Sequence, residues 1–414
     1  MKRREAIATL MTRLGLALFA RNPTFSYFFL SRTSSRIGEN VFSLAVPWLV
    51  FQLTGSALQL GLAFAVQVVP SLLLAPFAGV YADAASRTKV MLVAESFRAL
   101  LGLAVAGLSL LGNLQAWHLY LAVVAHAVTA SFLTVAAGAV VPTIVDQVDL
   151  TRANALLRLS RNACDLFGKV MTGVLLAWVG PVYTFMANAA LSVASAALLL
   201  IRRMDGESLV VRGRRPRVLQ DFVSGVGILR RHSTALLAMA DLVVVNVGIP
   251  VLVIALPVVS EQVLGHGAAG YGFLTGAMAL GAIAATLIAT PLAGRMDEHR
   301  LSGLATVLFG FLVGSLGFVG GLEGWLLAVT LAGLTAELVS VYTASILQRT
   351  LPSEVLGRAF GVQYAALRVI PVVVFLSAGA VLQRFGVQTL LILGGSATAL
   401  IAALLLYIRV RGAQ

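Results

Sequence analysis

Twelve runs of about 20 predominantly apolar residues follow one another along this chain, each long enough as a helix to cross the roughly 30 Å hydrocarbon core of a bilayer. They fall near 25–53, 57–80, 90–111, 117–140, 155–178 and 181–201, then near 234–257, 270–293, 301–321, 325–347, 359–381 and 386–408. Glycine, proline and charge punctuate them, and one longer polar stretch, 202–233, divides six from six. Of 414 residues 59% are hydrophobic and only 11% are charged, against about 25% charged in a soluble globular chain. A soluble fold is therefore excluded. The expected architecture is an all-α membrane protein of twelve transmembrane helices in two pseudo-symmetric six-helix bundles, 25–201 and 234–408. A tail over 1–24, a basic linker over 202–233 and a short tail over 409–414 complete the division.

The net charge of +13 would suit nucleic acid only if the basic residues formed one solvated patch on a compact module. They lie instead in short loops between apolar runs, so nucleic acid is not an expected partner. The loops on the side of the termini hold 22 of the 30 basic residues, the opposite loops hold only Arg384, and seven lie within spans. The positive-inside rule then predicts both termini and the central linker to be cytoplasmic, in the inner membrane of a bacterium. Lys2, Arg3, Arg4, Arg13 and Arg21 precede the first span with no cleavage-like stretch, which reads as a cytoplasmic tail rather than a signal peptide. The linker from Asp221 to Arg231 is also suited to lie on anionic headgroups. A single cysteine, Cys164, excludes a disulfide framework and a cysteine-based zinc site.

Ionisable side chains deep in a span cost about 2.5–3.5 kcal/mol each on insertion scales, so they face a cavity or pair with one another. In the first span Arg32, Ser35, Arg36, Glu39 and Ser43 share one helical face through three- and four-residue spacing, and Glu39 lies near the bilayer midplane. In the fifth span Arg158, Arg161, Asp165 and Lys169 form a second stripe, in which Asp165 has Arg161 and Lys169 as four-residue neighbours. Glu95 and Arg98 near the end of the third span read as a structural pair or as snorkelling residues. His126 in the fourth span reads as a proton shuttle or as a packing residue. The second half is sparser: Asp241 and Asn246 in the seventh span, Glu337 in the tenth and Arg368 in the eleventh, the last two placed so that pairing would offset the burial of each. Glu39, Asp165, Glu337 and Asp241 are the proton-coupling candidates. Arg36, Lys169, Asn246, Arg368 and His126 are the candidates for the substrate cavity. Cations slightly outnumber acids within the spans, which tilts the cavity toward anionic or zwitterionic solutes.

The loop after the second span reads GVYADAASRTKVM, Gly79 to Met91, and resembles the loop signature of the major facilitator superfamily. Gly79, Ala82, Asp83 and Arg87 match it, while Ala84 and Ser86 depart from it. The stretches SRIGENVFSLAVPWLVFQLTGSALQLGL, VPTIVDQVDLTRANAL and LQRTLPSEVLGRAFG extend the likeness to the drug/proton antiporter-like branch that contains macrolide efflux proteins and the enterobactin exporter. The resemblance implies two bundles of inverted three-helix repeats working by alternating access, with Gly79, Asp83 and Arg87 in a conformational-switch loop. Glu39 stands where this branch often carries an aspartate, which implies a coupling carboxylate. The fifth span reads GKVMTG, with Lys169 where proton-coupled exporters often have proline.

The expected function is a proton-coupled exporter, a multidrug-like antiporter, of an amphipathic small molecule such as a drug or secondary metabolite. The alternatives are export of a siderophore or other acidic metabolite through Lys169, Arg36 and Arg368, and a lysophospholipid flippase. No H-E-x-x-H, Gly-x-Ser-x-Gly or nucleotide-binding G-x-x-x-x-G-K-[ST] motif is present, so an enzyme and an ATP-driven pump are not expected. The expected energy source is the proton motive force, with no cofactor and no metal. The expected partners are the small-molecule substrate and membrane lipid, and the expected state is a monomer.

Overall fold

A computed structural model of the chain describes residues 17–84, 86–201, 218–292 and 297–412. Among them there is no strand, and within each described stretch the helices follow one another with short turns. A short helix α1 (Ala17–Arg21) leads into α2 (Pro23–Thr54), α3 (Ala57–Ala84), α4 (Arg87–Leu110), α5 (Ala116–Ile144), α6 (Leu150–Trp178) and α7 (Gly180–Ile201). After α8 (Val218–Arg231) come α9 (Ser233–Val258), which continues as a wide turn over Val259–Val263, then α10 (Gly267–Leu292), α11 (Glu298–Ser315), α12 (Leu322–Thr350) and α13 (Ser353–Gly412). The last is two helices in one run. Gly386 has φ +81°, a left-handed conformation that costs glycine little and other residues much, so the chain turns there and starts a new helix without a loop.

Nine stretches among the described residues are long and apolar enough to cross a membrane, and one of these, Val355–Arg411, runs through the break at Gly386. The long helices that fail this compositional test are α2 and α6, with 32 and 29 residues. They fail because they carry Arg32, Arg36 and Glu39, and Arg158, Arg161, Asp165 and Lys169. With α2 and α6 counted as spans and α13 as two, the arrangement is compatible with six plus six. Boundaries shift by a few residues from those the sequence predicts; α4, for instance, begins at Arg87 because Ser86 caps it, its hydroxyl accepting from the Lys89 amide at 3.4 Å. Pro142 and Pro257 lie within helices, in addition to Pro47, Pro250 and Pro371.

The chain forms two compact units, Met1–Val46 with Leu73–Arg214, and Pro47–Leu72 with Arg215–Gln414. In the first, Phe25, Phe28, Met91, Leu133, Val140 and Leu199 form a fully buried core shared by α2, α4, α5 and α7. Asn188 of α7 donates to the Gly38 carbonyl of α2 at 2.7 Å, which gives this buried amide a partner and fixes the two helices in register. In the second unit α10 and α12 cross backbone to backbone. A Cβ at Gly281 would collide with the Thr330 carbonyl and the Leu334 amide, and one at Gly333 would collide with Met278. Small residues permit this close approach in lipid, where packing rather than water expulsion drives helix association. The turn between α2 and α3 belongs to this unit as well. The side-chain carbonyl of Gln383 accepts from the Ala57 amide at 2.7 Å and from the Ser56 hydroxyl at 3.1 Å, serving the open N-terminus of α3.

Candidate functional site

The polar face of α2 meets the polar face of α6 in the first unit, and Arg36 is the hub. Its Nε and Nη2 donate to the two carboxylate oxygens of Asp165, both at 2.8 Å, a bidentate geometry that matches guanidinium to carboxylate. Its Nη1 donates to Glu39 Oε2 at 2.9 Å. Asn40, fully buried, donates from Nδ2 to the Cys164 carbonyl at 2.9 Å and to Asp165 Oδ1 at 3.1 Å. The helices come this close because position 168 is glycine: a Cβ there would sit 3.2 Å from Asn40. Sequence spacing pairs Asp165 with Arg161 on its own helix. The structure corrects this: Arg161 is exposed, and Asp165 binds Arg36 of α2, because carboxylate and guanidinium project toward each other across the helix contact.

One guanidinium thus holds two carboxylates, and all three side chains remain a quarter to a third accessible. Lys169, one turn beyond Asp165 and half-buried, lies within electrostatic reach of Asp165 and Arg36 but makes no ion pair or hydrogen bond among the described residues. Protonation of either carboxylate would remove one of the two charges that hold Arg36 and free its donors for another anion.

Beside the hub, Arg98 of α4 is buried; its Nε donates to Thr129 Oγ1 at 3.1 Å and its Nη1 to Ser35 Oγ at 3.4 Å. Glu95 is also buried, and neither of its oxygens accepts a hydrogen bond from a described residue. The expected Glu95–Arg98 pair is therefore not formed, since Arg98 turns toward α2 and α5. His126 stacks on Phe42 with ring centroids 4.4 Å apart and planes within 3°, and Phe185 meets Phe42 edge-on at 5.7 Å. Its geometry is that of a packing residue within electrostatic reach of Glu39.

The candidates of the second half do not converge. Asp241, fully buried, binds Arg409 Nη2 at 2.7 Å and accepts from Ser302 Oγ at 2.9 Å, while Arg409 also donates to the His299 carbonyl. This arrangement ties α9, α11 and the end of α13 together. Asn246 donates to the Leu242 carbonyl of its own helix at 2.8 Å. Glu337 and Arg368 do not pair, contrary to expectation. Arg368 donates to Ser71 Oγ at 3.1 Å and lies 5.3 Å from the Tyr364 ring centroid, and Glu337 makes no ion pair among the described residues. In the switch loop, Arg87 Nη1 donates to the Ala139 carbonyl at 2.8 Å, in the turn of α5 just before Pro142. Gly79 and Asp83 fall at the end of α3, and their side chains lie outside the described residues, as do the N-terminal tail before residue 17 and most of the linker. Asn40, Asn188 and Gln383 were not among the sequence candidates. Asn40 had a signal, four residues from Arg36 on the same face.

The described residues contain no strand and place a charged hub between two span-length helices, an arrangement that suits a membrane transporter. The sequence profile of the transmembrane secretion effector family matches residues 15–414, and the chain belongs to that family. It is 28% identical to the enterobactin exporter EntS of Escherichia coli O6:K15:H31 over 84% of this chain and 82% of that protein. It is 24% identical to the uncharacterized MFS-type transporter YvqJ of Bacillus subtilis over 52% of each. Among solved structures, the fold matches a bacterial homologue of the iron transporter ferroportin in an inward-facing state, with TM-score 0.66 and 15% identity over 93% of this chain and 98% of that one. It also matches the nucleoside transporter NupG, with TM-score 0.69 and 10% identity over 93% and 99%.

Proposed function

We propose that this transporter is a proton-coupled exporter of an amphipathic small molecule, with Arg36, Glu39 and Asp165 as its coupling centre and alternating access as its mode of action. The observation that carries this reading is the single guanidinium shared by two partly accessible carboxylates. Competition of two carboxylates for one guanidinium would let such a centre act as a switch. With both carboxylates ionised Arg36 is occupied, and a proton on Glu39 or Asp165 releases part of it to a ligand or to a new helix contact. The termini face the cytoplasm in this proposal, as the distribution of basic residues requires, and the membrane is the bacterial inner membrane.

An acidic substrate is the favoured class within this reading. Lys169 is a cation beside the hub with no direct partner among the described residues, which an anionic ligand would supply, and the likeness to EntS over most of both chains points the same way. Purified protein titrated with a catecholate siderophore and, separately, with a lipophilic cation tests this. Lys169→Ala is expected to weaken the siderophore by about tenfold, the scale of one charge-assisted contact, and to leave the cation unchanged. Equal siderophore affinity in Lys169→Ala would remove the acidic-substrate reading without touching proton coupling.

A further inference from the structure

Apart from the hub, the first unit carries a groove of about 580 Å³ between α4 and α5. Val90, Val93, Phe97 and Val128 line its walls, with Ser86 and Lys89 at the end where α4 begins. Val93 is 70% exposed and Phe97 46% exposed, so the groove opens on the outside of the helices. We infer that it holds one acyl chain of an anionic phospholipid, with the phosphate headgroup at Lys89.

Length, polarity and charge each support this occupant. From Ser86 to Phe97 the helix rises about 17 Å, close to the depth of one leaflet in a hydrocarbon core of roughly 30 Å. The polar atoms at the deep end are already used: Thr129 Oγ1 accepts from Arg98 Nε and donates to the His126 carbonyl at 2.8 Å. Nothing there calls for a polar ligand. At the shallow end Lys89 is exposed and makes no ion pair among the described residues, and it stands in the first turn of a 24-residue helix, whose dipole favours an anion. A tail thus meets apolar walls over the depth of one leaflet, and its headgroup meets a cation at the membrane surface.

Native mass spectrometry of protein released from nanodiscs of equal phosphatidylglycerol and phosphatidylcholine tests the inference. The expected result is one retained lipid with phosphatidylglycerol preferred. In Lys89→Glu that preference is expected to fall by about fivefold, the effect of one basic residue near an anionic surface. In Val93→Trp, which fills the groove from an exposed position, the retained lipid of both kinds is expected to be lost. Equal retention of the two lipids by the unaltered protein, no retained lipid at all, or undiminished phosphatidylglycerol in Val93→Trp would each overturn it. Both substitutions are at exposed positions, and a monodisperse elution profile checks that each variant is folded.

Discussion

At the scale of single residues, the burial of charge decides which side chains are structural and which are free to act. Asp241 has no exposure and Arg409 little, and removing one partner of such a pair leaves an uncompensated buried charge at a cost of about 3–5 kcal/mol. Arg409→Leu is therefore expected to lower the melting temperature in detergent by several degrees, and adding Asp241→Asn to recover part of the loss; a differential scanning measurement on the two variants checks it. The hub around Arg36 differs because its groups stay partly accessible, so it can change partners. Helical spacing places Arg36, Glu39 and Asp165 on polar faces at span depth, and that much is legible in the sequence. Their pairing is not, since periodicity says which residues share a face and not which neighbouring helix that face meets. For the same reason Asp165 is found with Arg36 rather than Arg161, and Arg368 with Ser71 rather than Glu337.

At the scale of elements, the apolar run lengths and the glycine and proline breaks in the sequence recover nearly every helix, because a lipid-exposed backbone must satisfy its hydrogen bonds within each segment. The break at Gly386 is legible as the boundary between the last two runs, although no loop marks it. Which glycines bring helices together is less legible: α10 carries Gly270, Gly272, Gly276 and Gly281, and it is Gly281 that meets the Thr330 carbonyl. Gly281→Leu is expected to force α10 and α12 apart and to reduce folded yield and thermal stability. Gly107→Leu on α4, where nothing lies within 4 Å of the added carbon, is expected to be tolerated. Size-exclusion profiles of the two variants, made side by side, separate these outcomes.

At the scale of the whole molecule, charge asymmetry predicts orientation. In a Cys164→Ser background, His232→Cys is expected to stay unlabelled by an impermeant maleimide added outside intact cells, and Arg384→Cys to react; the reverse pattern would invert the topology. The family and the fold establish a transporter, and proton coupling is the part proposed from the hub. The most direct test is a proteoliposome assay with a pH-sensitive dye in the lumen and an acidic siderophore as substrate. The account predicts that substrate movement drives opposite proton movement, and that Glu39→Gln abolishes this exchange while still binding substrate. Substrate movement with no opposite proton movement, or proton movement undiminished in Glu39→Gln, would contradict it.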